Sequence, residues 1–139
     1  MASIRKEFIT SARPADVWSA IRDTGALHTR LVPGFVVDTR LEPGARIVTF
    51  ANGMTVRETI VTLDDDAMRL VWSAKSEWLV HHNGSVQVFS VADNQTKVIW
   101  CADLLPNEMA GPIDLMMDQG IVAMRTAMDG LANKVPTKQ

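Results

Sequence analysis

The chain has 139 residues, 47% of them apolar and 22% charged, with a formal net charge of −2. That is enough for one domain with its own core, expected to span 1–139, and too little charge to make nucleic acid or an anionic membrane the main partner. One cysteine, Cys101, excludes an internal disulfide framework and fits a reducing compartment; MASIRKEF is not a secretory leader, and no run of about 18 apolar residues occurs, so a cytoplasmic protein without stable membrane insertion is expected.

Residues 3–11 read as a strand in which Ile4, Phe8 and Thr10 share one face with Lys6, while Ile9 lies on the other. Pro14 suits the first turn of a helix. Asp16 complements that helix's positive end, and Val17, Trp18 and Ile21 form its apolar stripe. Asp23-Thr24-Gly25 breaks it, and a second short helix is expected over 26–31, ahead of Pro33-Gly34. Hairpins follow. Residues 35–41 alternate as a strand, and Glu42-Pro43-Gly44 is a turn in which Pro presets φ and Gly accepts positive φ. Strands are expected over 46–51 and 54–63, joined by the hairpin signal Asn52-Gly53. After the acidic turn Asp64-Asp65-Asp66, Met68, Leu70, Trp72 and Ala74 alternate with Arg69, Val71, Ser73 and Lys75. Two more strands, 79–91 and 96–105, turn at Asp93-Asn94, and Pro106 ends the second.

Gly111-Pro112 opens the last element, a helix expected to reach Lys134 with a frayed tail beyond Pro136. Ile113, Met117, Ile121, Met124, Met128 and Leu131 recur at three- and four-residue spacing, and about 22 residues make roughly 33 Å of helix. Strand, short helices, antiparallel meander and long helix together predict an α+β fold: a curved sheet around one helix, with room for a ligand between them.

Three segments carry a family resemblance: 9–18, where a strand ends and Pro14, Val17 and Trp18 open a helix; Val56-Arg57-Glu58-Thr59-Ile60 with the acidic turn after it; and Lys97-Val98-Ile99-Trp100 leading to Pro106. In that order the chain resembles the superfamily of polyketide cyclases/dehydrases, START-type lipid-transfer domains and the birch-pollen allergen. The resemblance implies a helix-grip fold: a seven-stranded curved antiparallel sheet, two short helices between strands one and two, and a C-terminal helix over the concave face. It also implies a hydrophobic cavity, although members range from enzymes to carriers.

Glu58 is the ionisable residue of most interest. In a strand it shares a face with Val56 and Ile60, so the carboxylate is paired, raised in pKa or facing a cavity. The resemblance adds that relatives place a polar or acidic residue at the matching position, pointing into the ligand site. His81 and His82 are adjacent and must point to opposite faces of a strand, so one at most can join Glu58 in acid–base work. His28, on the second short helix, is placed near the presumed mouth. No metal-ligand spacing is present, and neither a metal nor a cofactor is expected. Cys101 sits mid-strand with no activating motif and reads as a small buried hydrophobe.

Five of the eight methionines fall after Pro106, and Met suits an adaptable apolar wall. Trp72, Trp78 and Trp100 are each core or wall, with Trp72 the better candidate for the inner face. Trp18, Leu70, Trp72, Met124 and Leu131 are expected to be largely buried. The expected ligand-binding set is Val56, Glu58, Ile60, Trp72, Ile113, Met117 and Ile121. The reading is a binder of one small hydrophobic molecule, aromatic and polyketide-like or lipid-like. The alternative is a cyclase/dehydrase-type enzyme using Glu58 and one histidine. Oligomeric state is left open, a dimer included.

Overall fold

The computed structural model describes residues 1–133. The expected helix end at Lys134 and the tail beyond Pro136 lie outside the described residues. Strand β1 (Ala2–Thr10) leads into helix α1 (Pro14–Arg22) and one π-helical turn (Leu27–Leu31). Six strands follow as a meander: β2 (Val36–Glu42), β3 (Ala45–Phe50), β4 (Thr55–Asp64), β5 (Arg69–Lys75), β6 (His81–Ala92) and β7 (Gln95–Leu105). A short 3₁₀ turn (Asn107–Met109) feeds helix α2 (Ala110–Asn133). The sheet has seven strands in the order β1-β7-β6-β5-β4-β3-β2, and every pairing is antiparallel.

The period-2 pattern decides which face of the sheet is covered. In β6 the buried residues are Gly84, Val86 and Val88; in β7 they include Val98, Ala102 and Leu104. Against this face α2 presents Ile113, Met117, Gly120, Met124 and Met128, a stripe at helical spacing. Leu131, expected to be buried, is only half-buried: it continues that stripe one turn past Met128, near the helix end, where it packs on the edge of the core. The core divides into a large cluster under α1 and the C-terminal half of α2, and a smaller one under the N-terminal half of α2. Trp100 packs against both.

Polar contacts fix how the helix lies on the sheet. Lys6, the residue that spoils the alternation of β1, points inward and pairs with Asp114 and Asp118 of α2, the latter at 2.7 Å. Nearer the other end, Thr10 Oγ1 donates to Asp129 at 2.8 Å. The acidic turn after β4 is also engaged: Asp65 accepts from Trp18 Nε1 and Arg22 Nε, each at 2.8 Å. The hydrogen bonds from Arg22, then from Trp18, hold the Asp65 carboxyl below the usual carboxylate range.

Two glycines make room for the large rings. At Gly84, opposite Trp72, a Cβ would lie 2.7 Å from Trp72 Nε1 and closer still to its ring carbons. At Gly120 a Cβ would come within 2.8 Å of Trp100. Gly84→Ala should therefore force the Trp72 indole out of place and lower stability by about 1–3 kcal/mol, the usual cost of overpacking. Chemical denaturation checks this; an unchanged midpoint would mean that the indole can shift freely.

Candidate functional site

A cavity lies between the inner face of the sheet, the π-helical turn and α2. The space among its lining side chains is about 720 Å³, open solvent at its edge included. The wall is overwhelmingly apolar. Phe35 and Phe50 meet edge to face at 5.3 Å on one side, Trp72 and Trp100 rise from the sheet, and Ile113, Met116, Met117 and Met124 close it from the helix. Among the described residues, three titratable side chains line it: Arg46, Glu58 and His82.

Arg46 and Glu58 form a buried pair. Arg46 sits on β3 directly opposite Glu58 on β4, on the inner face. Its Nε donates to Glu58 Oε1 at 2.8 Å, and the side chains are only 3% and 9% exposed. A second nitrogen, Nη1, points to the Thr24 carbonyl at 3.4 Å. The guanidinium carbon lies 5.5 Å from the centroid of the Trp72 ring, close enough for the ring's negative face to attract the cation. The carboxylate, the indole and the Thr24 carbonyl thus together compensate a charge withdrawn from water.

Glu58, Trp72, Ile113 and Met117 of the expected set line the cavity; Val56, Ile60 and Ile121 do not. Val56 is buried in the sheet, two residues along β4 from Glu58 on the same face. Ile60, two residues the other way, packs into the large core cluster at the bulge between β4 and β5. Ile121 flanks the inner stripe of α2, whose centre at that level is Gly120, so it also packs sideways into the core. Arg46 was missed in the sequence, as were the aromatic pair Phe35 and Phe50.

The histidines separate as adjacent strand residues must. His82 is in phase with Gly84 and Val86 and lines the cavity; His81 does not line it. His28 is also away from the wall, its Nδ1 3.1 Å from Thr39 Oγ1. Cys101 is not a buried hydrophobe: it is half-buried, across from Ser85 on the outer side of the sheet, because the inward positions of β7 at that level are Trp100 and Ala102. Trp78 is neither core nor wall, being 63% exposed in the loop before β6. Among the described residues no group of three or more His, Cys, Asp or Glu is placed to hold a metal ion, and no helix is long and apolar enough to cross a membrane.

Burial, and then the charge of His81, lowers the pKa of His82 below the usual histidine value. A histidine buried neutral must gain a proton to unfold in acid, so its contribution is present above about pH 6.5 and is lost as the pH falls through the lower, folded value. The thermal midpoint should therefore fall on acidification below about pH 6.5. His82→Gln should flatten that decline; an identical slope in the variant would assign it to other groups.

A sheet curved around one long helix, with an apolar cavity between them, defines a helix-grip protein. The profile of the "Polyketide cyclase / dehydrase and lipid transport" family matches residues 1–136, and the chain belongs to that family. No curated protein matches it significantly in sequence. Solved structures match the fold closely at low identity. The protein XoxI from Bacillus cereus superposes with a TM-score of 0.81 at 18% identity, covering 92% of this chain and 96% of that one. A START superfamily protein from Mycobacterium smegmatis gives 0.71 at 8% identity, with 96% and 99% covered. Truncated norcoclaurine synthase from Thalictrum flavum gives 0.73 at 15% identity, with 97% and 95% covered.

Proposed function

We propose that the protein binds one small hydrophobic molecule, aromatic and polyketide-like or lipid-like, between the sheet and α2. The observation that supports this most strongly is the wall itself: aromatic rings and methionines surround a buried ion pair. The body of the ligand lies against Trp72, Trp100 and the methionines. An acceptor group on it, a carbonyl or a carboxylate, takes the N–H groups of Arg46 not committed to Glu58 or Thr24. Glu58 then orients the guanidinium and balances its charge in the unliganded protein. In this reading Arg46, and not Glu58, is the main polar anchor.

The cyclase/dehydrase reading has one observation in its favour, the presence of Glu58 and His82 on the same wall. The fold alone does not decide, since it serves a synthase in Thalictrum flavum and START-type proteins elsewhere. The test is twofold. Mass spectrometry of the purified protein under native conditions should find a co-purifying small molecule, and calorimetry with 2-naphthoate should show saturable, one-to-one binding that Arg46→Met weakens. No co-purifying molecule together with no saturable binding would refute the reading. Chemical conversion of the co-purified molecule by the protein would favour the enzyme.

A further inference from the structure

Glu58 lies opposite Ala74, and Ser73 lies opposite Asn83, so His82 sits one step on, beside Ala74. Arg46, Glu58, Ala74 and His82 thus form one row across four neighbouring strands, all on the inner face. Strands are about 4.8 Å apart, which separates the backbones of Glu58 and His82 by roughly 10 Å. Between them stands only the methyl group of Ala74. The row is therefore a slot, with the ion pair at one side, the imidazole at the other and an apolar floor.

We infer that His82 is a specificity-determining residue of the cavity: it hydrogen-bonds a second oxygen of the ligand, a hydroxyl group lying over Ala74, while Arg46 holds the acceptor group. The ligand class is accordingly an apolar body with two oxygen functions on one edge. This rests on the binding reading above. Three features carry it beyond the row itself. His82 faces the cavity, its ring has no hydrogen-bond partner among the described residues in contrast to His28, and the remainder of the wall near it is apolar. Burial favours the neutral ring, which can both donate and accept and so suits a hydroxyl group rather than a second anion.

The probes are 2-naphthoate and a series of hydroxynaphthoates differing only in where the hydroxyl sits. At least one of them should bind the native protein about fivefold more tightly than 2-naphthoate, the worth of one neutral hydrogen bond. His82→Phe should erase that advantage, so that the hydroxynaphthoates and 2-naphthoate bind the variant equally well, whatever its absolute affinity for either. In case the variant folds poorly, the native protein gives a second reading: the ring resonances of His82 should move on adding the favoured hydroxynaphthoate much more than on adding 2-naphthoate. If 2-naphthoate binds but no hydroxyl position improves on it, or if the gain persists in His82→Phe, the role of His82 is overturned while the binding reading stands. If no probe binds at all, the role of His82 falls; if in addition no molecule co-purifies, the binding reading falls with it.

Discussion

Replacing Trp72 with alanine should cost roughly 3–5 kcal/mol of folding stability, the range for removing a buried aromatic side chain. The ring is 7% exposed and belongs to the large core cluster. Three neighbours depend on it. Gly84 leaves its backbone bare for the indole, Arg46 places its charge by the ring, and the cavity wall loses a panel without it. Removal leaves a hole that Gly84 cannot help to fill, so little of the loss is recovered by collapse. Urea denaturation, fitted with its slope as well as its midpoint, measures the cost. A loss under about 1 kcal/mol would show that the ring borders open space and carries no packing.

Glu58→Leu should be comparably damaging, at about 3–5 kcal/mol, because it strands the Arg46 guanidinium in an apolar cavity without its counter-ion. Glu58→Gln keeps an acceptor for Nε–H and should cost less. Replacing both partners, Arg46→Met with Glu58→Leu, removes the stranded charge and should recover most of the stability lost in the single variant. A double-mutant cycle on thermal or urea unfolding measures the coupling. Strict additivity would mean that the two side chains do not interact. The double variant also separates stability from function: it should be folded, and it should bind 2-naphthoate weakly or not at all.

Most of the architecture was legible in the sequence because period and punctuation agreed. Alternation in β5, the turns at Gly44 and Gly53, and the stripe from Ile113 to Met128 each fix an element independently of the others. The inward position of Glu58 followed from Val56 and Ile60 alone. Its partner did not, because pairing depends on register. Asn52-Gly53 suggests a two-residue turn, which would set Ile47 opposite Glu58. The turn instead spans Ala51 to Gly53, with Phe50 and Met54 closing it, and that single residue brings Arg46 opposite the carboxylate. The available signal was Arg46 itself, a charge sharing a face with Val48 and Phe50. Ile121 was misplaced for a related reason. The period of α2 permits it on the inner face, but the close approach of Trp100 centres that face on Gly120. Contacts of this kind arise from two elements meeting and leave no mark in either one's periodicity.

A ligand that enters between α2 and the sheet should be reported directly by the methionine methyl groups. With methyl-labelled methionine and a titration of 2-naphthoate followed by NMR, Met116, Met117 and Met124, which line the cavity, should shift together and saturate. Met1 and Met54, which do not line it, should stay still. Saturable shifts at Met1 or Met54 with none at Met117 or Met124 would place the ligand outside the cavity between α2 and the sheet.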